Sequence, residues 1–500
     1  MPLRTDSAQV LRALSRYESR NVTHQSASGD WPIVWDRAKG VHVWDAEGRR
    51  YLDLTAAFGV AAAGHAHPDI VRAGQCQLRR LPHAMGDVHP HPLKAELCAQ
   101  LSRITFERWT RAKSKGASSR GKVILGSSGF EAVEAALKTA LLATGRPNII
   151  AFEGGYHGLG YGALNATHRL HFRQRFRPQL GGFVEFAPFP DAHAATPPAS
   201  ANTASMKRGE TSLDFLATRL KRGTIGAVLI EPLQARGGIR IPIPGFLPQL
   251  AQLCAEHGTL LIFDEIYTGF GRTGHGFACE HESVVPDLIC LGKALAGGFP
   301  ISACVGRADL MDAAWPESDG EAIHTSTFLG HPVGCAMALA SIRVHRQLGL
   351  ARRSRSTGQH LMEAMRRLAS RFPQLGLVPR GRGLLAGLEA RSAPPATVLG
   401  WVKSLLGQGL ILLPEGEHGQ VLSFTPPLTI SPAQLNHALN LVERQLESSA
   451  GPGTSTGGRP QQSGLPERSG VRKISRRGLE AKACPSRSIA SAAAAGETAA

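Results

Sequence analysis

The sequence predicts an α/β fold in which a mainly parallel central sheet is flanked by helices, together with a smaller α+β domain. Three observations predict it. From about residue 65 to 330, apolar strand-like runs alternate with helical patterns, which is typical of a parallel sheet with helices on both faces. Helical periodicity and two further apolar runs follow between residues 336 and 446. A chain of 500 residues with 42% hydrophobic content is also long enough for more than one domain.

Taken in order, the elements divide the chain into four expected parts. Residues 40–54 alternate apolar and polar side chains around an Ala-Glu-Gly turn, which predicts a β-hairpin. We expect this hairpin to belong to an N-terminal segment of the small domain, and we expect that domain to be completed near the C-terminus. The expected parts are residues 1–64 and 331–447 for the small domain, 65–330 for the large domain with an insertion at about 192–211, and 448–500 for a disordered tail.

Composition argues against several classes of protein. No run of about 18 apolar residues occurs, and no apolar segment follows a basic start, so we expect a cytoplasmic protein without a membrane span. The eight cysteines form no CxxC pair, which argues against a disulfide framework and a metal site. The net charge of +17 leaves polyanion binding as a non-enzymatic alternative. Because the basic residues are spread out and lack interleaved aromatic side chains, we do not expect nucleic acid to be the main partner.

Five apolar runs of the central region each end on polar or reactive groups. In open parallel sheets, ligands bind beyond the carboxyl ends of the strands, so these five ends are expected to converge on one site. The runs and their ends are Lys122–Leu125 before Gly126-Ser127-Ser128-Gly129, Asn148–Phe152 before Glu153-Gly154-Gly155-Tyr156-His157, Ile225–Ile230 before Glu231-Pro232, Leu260–Phe263 before Asp264-Glu265, and Leu288–Leu291 before Gly292-Lys293.

The last two strand ends have the residue types that pyridoxal 5'-phosphate chemistry needs. A carboxylate beside the pyridine nitrogen keeps the ring protonated, and a desolvated lysine carries the cofactor as a Schiff base and moves protons. We therefore predict Asp264 and Lys293 as the catalytic pair. Separately, each residue has an ordinary interpretation, because a strand-end aspartate can cap a helix and a lysine in a glycine loop can lie at the surface.

The other strand ends supply candidate cofactor contacts. Ser128, Gly129 and Phe130 precede a strong helix former, so their backbone N–H groups are expected to bind the phosphate, although Ser128 could be an ordinary N-cap. Tyr156 is expected to stack on the pyridine ring with His157 beside it, unless it is a half-buried turn residue. Glu231 is expected to meet the substrate or an arginine, unless it is a surface carboxylate.

These motifs closely resemble those of the class III aminotransferases, which have the fold-type I pyridoxal-phosphate architecture. The resemblance implies a homodimeric enzyme that passes an amino group from an amine or amino acid to an oxo acid by a ping-pong cycle. It also implies that Ile266 packs on the ring face opposite Tyr156, and that Thr327 reaches the cofactor phosphate of the neighbouring subunit. The resemblance runs from about residue 40 to 446 and includes Gly64-His65-Ala66-His67-Pro68, Ser128-Gly129-Phe130-Glu131-Ala132, Tyr156-His157-Gly158, Glu231-Pro232-Leu233-Gln234, Asp264-Glu265-Ile266-Tyr267-Thr268-Gly269-Phe270-Gly271-Arg272-Thr273-Gly274, Gly292-Lys293 and Ser326-Thr327-Phe328-Leu329-Gly330-His331-Pro332.

Three positions depart from the family pattern. Leu159 and Ser423 stand where members that act on amino acids usually carry a carboxylate-binding arginine, and Phe130 replaces a small residue. We therefore expect a donor without a conventionally held α-carboxylate, such as a terminal amine, an amino sugar or a larger biosynthetic intermediate. The alternative is a carboxylate contact from another basic residue, such as Arg169, Arg173 or Arg382. Aminomutase, racemase and decarboxylase activities remain alternatives, because they use the same stabilised carbanion.

Overall fold

The structure is a computed structural model, and it describes residues 6–26, 29, 31–113, 120–194 and 211–450. The α-helices, α1 to α15 in chain order, are Ser7–Tyr17, Ala56–Gly59, Pro68–Arg80, Pro92–Ile104, Phe106–Lys113, Gly129–Thr144, Tyr161–Ala166, Leu170–Arg173, Ser212–Leu220, Phe246–Glu256, Ala308–Ala314, Pro332–Gln347, Leu350–Arg371, Pro395–Gly407 and Pro432–Ala450. Short 3₁₀ helices are Gln174–Gln179, Ala278–His281, Lys293–Leu295 and Pro373–Leu375.

The strands, β1 to β15 in chain order, form three sheets. Their bounds are Trp35–Lys39, His42–Asp45, Arg50–Asp53, Gly121–Gly126, Asn148–Phe152, Val184–Ala187, Ile225–Ile230, Leu260–Asp264, Leu288–Leu291, Ser302–Arg307, Leu377–Arg382, Leu385–Ala390, Leu410–Ile411, Leu413–Glu415 and Val421–Phe424. The largest sheet has seven strands in the order β4-β10-β9-β8-β7-β5-β6.

The predicted α/β architecture is confirmed, and the large sheet contains two strands, β6 and β10, that are not among the five predicted runs. The pairs β5–β6, β5–β7, β7–β8 and β8–β9 are parallel. Strand β10 lies between β9 and β4 and is antiparallel to both. Since two reversals restore the original direction, β4 runs the same way as β9. The carboxyl ends of β4, β5, β7, β8 and β9 therefore lie at one edge of the sheet.

Burial explains why these runs form central strands. Every residue of β7 is buried, as expected for a strand covered by helices on both faces. The same holds for β9 and for most of β8. One core cluster includes Val228 and Phe263, whereas Ala227 and Ile262, one position earlier, belong to another. Since neighbouring residues of a strand point to opposite faces, the sheet separates two apolar layers.

The two smaller sheets join distant parts of the chain. The predicted hairpin forms, since β2 and β3 pair antiparallel with His42 opposite Leu52. Strand β3 pairs in parallel with β13, so the N-terminal segment shares a sheet with residues near 410. The third sheet has the order β11-β12-β15-β14. Residues 448–450 are the last turn of α15, and the rest of the expected tail, 451–500, lies outside the described residues, as does most of the expected insertion. None of the helices in the described ranges is long and apolar enough to cross a membrane.

Candidate functional site

A cavity of about 410 Å³ lies where the carboxyl ends of the parallel strands meet. It brings together most of the residues that the sequence analysis proposed. The residues that line it are Gly129, Phe130, Tyr156, His157, Gly158, Leu159, Glu231, Arg236, Asp264, Ile266, Tyr267 and Lys293.

Asp264 is held in place by two neighbours. It is the last residue of β8, and its side chain is only 4% exposed. One carboxylate oxygen, Oδ1, accepts a hydrogen bond from the backbone N–H of Ile266 at 3.1 Å, as is common for aspartate in turns. The other, Oδ2, lies 2.8 Å from Nδ1 of His157. His157 is itself buried, and its Nε2 has no hydrogen-bond partner among the described residues.

Lys293 follows the end of β9 and begins a short 3₁₀ helix. Its backbone φ of +39° lies in the left-handed region, which is unfavourable for a residue with a side chain. Burial lowers the pKa of Lys293, while the negative charges of Asp264 and Glu231 act in the opposite direction. Its Nζ lies 4.6 Å from the ring centre of Tyr267. The environment therefore favours a neutral, nucleophilic amine more than water does.

Glu231 orients the wall that carries Tyr156. Its Oε1 accepts a hydrogen bond from the backbone N–H of Tyr156 at 3.0 Å, and its Oε2 accepts one from Ala235 at 3.1 Å. Burial raises the pKa of Glu231 to about 7, and the nearby Asp264 adds to that effect. Glu231 thus connects the end of β7 to the turn after β5, and in this chain its partners are backbone groups.

In the predicted phosphate loop, two backbone N–H groups are already hydrogen-bonded and two are not. The carboxylate of Glu131 accepts hydrogen bonds from the backbone N–H groups of Ser127 and Ser128, at 2.6 and 2.7 Å. The N–H groups of Gly129 and Phe130, in the first turn of α6, have no partner among the described residues. Gly129 and Phe130 also line the cavity, so the unpaired backbone donors at the start of α6 lie beside it.

Ile266 forms part of the cavity wall against two glycines. A Cβ atom added at Gly129 would lie 3.1 Å from Ile266, and one added at Gly292 would lie 3.4 Å from it. Phe130 packs against the turn after Tyr156, since a Cβ atom added at Gly158 would lie 2.4 Å from the Cβ of Phe130. These contacts require small residues beside Ile266 and Phe130.

Glu265, the neighbour of Asp264, points away from the cavity. Its side chain is fully buried, and it accepts hydrogen bonds from the hydroxyl of Thr268 and from the backbone N–H groups of Ala278 and Cys279. Burial nevertheless raises the pKa of Glu265 to about 7. Glu265 therefore stabilises the segment after β8, and Asp264 alone of the two faces the site.

Two of the proposed site residues, Ser128 and Thr327, lie apart from the cavity lining, and so does Ser423, a position that departs from the family pattern. Thr327 is exposed. The structure brings in two charged residues that the sequence analysis did not propose, Arg236 and the nearby Glu415. No hydrophobic periodicity in the sequence indicates either residue. Arg236 lies in the irregular segment five residues after Glu231, and Glu415 ends the short strand β14. A charged residue followed by two glycines near a strand end was the available clue.

The sequence as a whole decides the family. The profile of the family described as Aminotransferase class-III matches residues 23–446. This chain belongs to the class III aminotransferases. It is therefore a pyridoxal-phosphate-dependent aminotransferase, and the resemblance inferred from the motifs is confirmed.

Individual relatives agree with this assignment. The chain is 34% identical to the acetylornithine aminotransferase of Methanosarcina acetivorans over 417 residues, which are 83% of this chain and 92% of that protein. It is 34% identical to the 4-aminobutyrate aminotransferase of Escherichia coli over 421 residues, 83% of this chain and 93% of that protein. The chain superposes on the crystal structure of ornithine aminotransferase from Toxoplasma gondii with a TM-score of 0.75 and 28% identity. The aligned residues are 89% of this chain and 96% of the ornithine aminotransferase chain. Another structure of ornithine aminotransferase from Toxoplasma gondii, with 28% identity and a TM-score of 0.74, is described with pyridoxal phosphate at its active site, and it covers 90% of this chain and 97% of that one.

Proposed function

We propose that this aminotransferase takes its amino group from a primary amine at the end of a carboxylate-bearing carbon chain and passes it to an oxo acid, with Lys293 and Asp264 as the catalytic pair. The observation that carries the proposal is that these two side chains line one cavity, although Asp264 ends β8 and Lys293 follows the end of β9. Because β8 and β9 are parallel neighbours, their carboxyl ends place both groups at the same edge of the sheet.

The residues of the cavity fit the cofactor of this family. Asp264 offers a buried carboxylate for a ring nitrogen, and His157 orients that carboxylate. Gly129 and Phe130 offer backbone N–H groups for the phosphate. Tyr156 and Ile266 supply an aromatic and an aliphatic surface for the two faces of the ring. When bound, pyridoxal phosphate withdraws electrons from the carbon that bears the amino group.

Lys293 has two tasks in this proposal. Its neutral Nζ is the nucleophile that holds the cofactor between turnovers, and burial favours that neutral form. When it is not bound to the cofactor, Nζ would be free to accept a proton from the substrate carbon and to return it to another atom. Asp264, which lies 2.8 Å from Nδ1 of His157, would place its carboxylate against the ring nitrogen of the cofactor.

The proposed donor class rests on the relatives and on the cavity together. Two relatives are named for 4-aminobutyrate and 5-aminovalerate, which carry a primary amine at one end of a carbon chain and a carboxylate at the other. Leu159 lines the cavity and offers no charge, so the amine end would meet Lys293 without an arginine at that position. A donor of this class does not require a carboxylate beside the reacting carbon.

We further propose that the active enzyme is a cytoplasmic homodimer. Thr327 supports this, because it is exposed in the single chain and does not line the cavity, so a role at a phosphate would require a neighbouring subunit. The division into a large domain, 65–330, and a small domain from both termini is part of the same proposal. Light scattering of the purified protein tests the dimer, and a monomer that remains fully active contradicts it.

The catalytic assignment is tested with Lys293→Ala in the full-length protein, with Lys221→Ala as the control at an exposed helix end. After addition of pyridoxal phosphate, wild type and the control are expected to show the visible absorption of the lysine-bound cofactor and to convert terminal amines. Lys293→Ala is expected to lose both, with a folded circular dichroism spectrum. Normal absorption and turnover in Lys293→Ala would remove this lysine from the mechanism.

A further inference from the structure

Arg236 is a cation inside the cavity that the catalytic steps above do not use. Its side chain is 30% exposed, and its guanidinium lies 4.8 Å from the ring centre of Tyr156. Its Nε has no hydrogen-bond partner among the described residues. The backbone around it is fixed, since its carbonyl accepts a hydrogen bond from the N–H of Gly416 at 3.2 Å. The guanidinium of Arg236 therefore lines the cavity with an unpaired Nε–H donor, which can bind an anion.

Glu415 is the counter-charge of Arg236, but the pair is loose. The distance from Nε of Arg236 to Oε2 of Glu415 is 3.9 Å, which is too long for a hydrogen bond. Glu415 is only 5% exposed and is the last residue of β14. Burial raises its pKa to about 7, against the positive charges of Arg236, Arg169 and Lys293. The carboxylate thus neutralises the region without occupying the guanidinium.

The remaining cavity lining leaves Arg236 as the candidate for binding a substrate carboxylate. Among the residues that line the cavity, Arg236 and Lys293 are the two with a basic side chain other than histidine. Lys293 is reserved for the reacting amine. Arg169 does not line the cavity, and its Nη2 donates to the backbone carbonyl of Glu417 at 3.2 Å. Ser423, where a family arginine was expected, contributes no charge.

We propose that Arg236 is the specificity-determining residue that binds the substrate carboxylate in a two-pronged contact, with Glu415 as the counter-ion that is displaced from it. This inference rests on the proposed function and names the subsite that selects its substrates. A carboxylate is planar and has two acceptor oxygens, so it matches the fork of a guanidinium better than the single amine of lysine. Amines of the same length that have no carboxylate cannot make this contact, so the enzyme is expected to convert them with a lower kcat/KM.

The test compares two donors that differ at one end. The donors are 5-aminovalerate and pentylamine, in which a methyl group replaces the carboxylate. The full-length holoenzyme is mixed with each donor without an acceptor, and the decay of the visible cofactor absorption gives the rate. The readout is the ratio of kcat/KM for the acid to kcat/KM for the amine. Since both donors report on the same catalytic machinery, general damage to the site cancels in the ratio.

Arg236→Gln is expected to lower this ratio by about tenfold or more, because a charge-assisted, two-pronged contact is lost. Arg236→Lys keeps the charge without the fork and is expected to fall between Arg236→Gln and wild type. Glu415→Gln is expected to raise the ratio, since the guanidinium loses its competing carboxylate. Effects of opposite sign at two neighbouring positions are not expected from a structural defect alone.

Two results would overturn the inference in different ways. An unchanged ratio in Arg236→Gln, or a loss of the ratio in Arg169→Gln instead, overturns the assignment of Arg236 and leaves the proposed function intact. A wild-type enzyme that converts pentylamine but no acid with a terminal amine overturns the proposed donor class and this inference with it.

Discussion

Replacing Gly358 by alanine tests how closely helix α13 must approach the turn between β11 and β12, which contains Gly383. Gly358 lies inside α13, where alanine is normally better than glycine by up to about 1 kcal/mol. A Cβ atom at this position would lie 2.2 Å from the carbonyl oxygen of Gly383 and 2.4 Å from its carbonyl carbon. Such contacts are more than 1 Å too short, so helix and loop must separate.

The loop cannot move freely, because it is tied to the segment after β8. The backbone N–H of Leu384 donates to the carbonyl of Arg272 at 3.0 Å, and the Ser354 hydroxyl donates to the same carbonyl at 2.8 Å. The buried Arg272 side chain in turn donates to the carbonyls of Leu384 and Pro426. Overpacking of this kind costs about 1–3 kcal/mol, which exceeds the gain in helix propensity. We expect Gly358→Ala to be destabilised by about 1–2 kcal/mol net.

Gly400→Ala is the matched control. Gly400 lies inside helix α14 and is exposed, and a Cβ atom there would meet no atom within 4 Å. We expect this variant to be as stable as wild type or more stable, by up to about 1 kcal/mol. Urea unfolding of both variants in the cofactor-free form measures the change in the free energy of unfolding relative to wild type, which is expected to be a loss for Gly358→Ala and zero or a gain for Gly400→Ala. If Gly358→Ala unfolded at the same or a higher urea concentration than wild type, the argument from close helix–loop packing would be wrong.

Two further predictions concern Glu265 and Glu131, whose carboxylates accept backbone hydrogen bonds. Burial raises the folded-state pKa of Glu265 from 4.5 to about 7, so between these pH values the folded chain keeps a proton that the unfolded chain has released. The protonated Glu265 therefore contributes fully to stability below pH 4.5, and this contribution is lost as pH rises through 7. Relative to Glu265→Gln, wild type should lose about 3 kcal/mol between pH 4.5 and 8 in urea titrations, and parallel curves would contradict this. Glu131→Ala frees the backbone N–H groups of Ser127 and Ser128, and should reduce thermal stability by about 1–2 kcal/mol and weaken pyridoxal phosphate binding in an absorption titration. Unchanged affinity would show that Glu131 does not shape the phosphate loop.

The sequence predicted that Asp264 and Lys293 lie close together, and in the structure both line one cavity. Lys293 and Asp264 each end an apolar run, and the carboxyl ends of parallel strands share an edge. The antiparallel direction of strand β10 was not predictable, because an apolar run carries no information about its direction. Asp264 lines the cavity and Glu265 does not, because neighbouring residues along a strand point to opposite sides. The run of residues alone could not say which of the two faces the cavity.

Arg236 and Glu415 escaped prediction because they meet through tertiary contacts rather than through a sequence pattern. Arg236 belongs to the segment after β7 of the large sheet, whereas Glu415 ends a strand of the C-terminal sheet. The backbone contact between Gly416 and Arg236 joins the two. Arg236 and Glu415 therefore depend on contacts between two sheets, whereas Asp264 and Lys293 follow neighbouring strands of one sheet. Because the two pairs depend on different parts of the fold, we expect substitutions at Arg236 and Glu415 to alter substrate selection and to leave Asp264 and Lys293 in place.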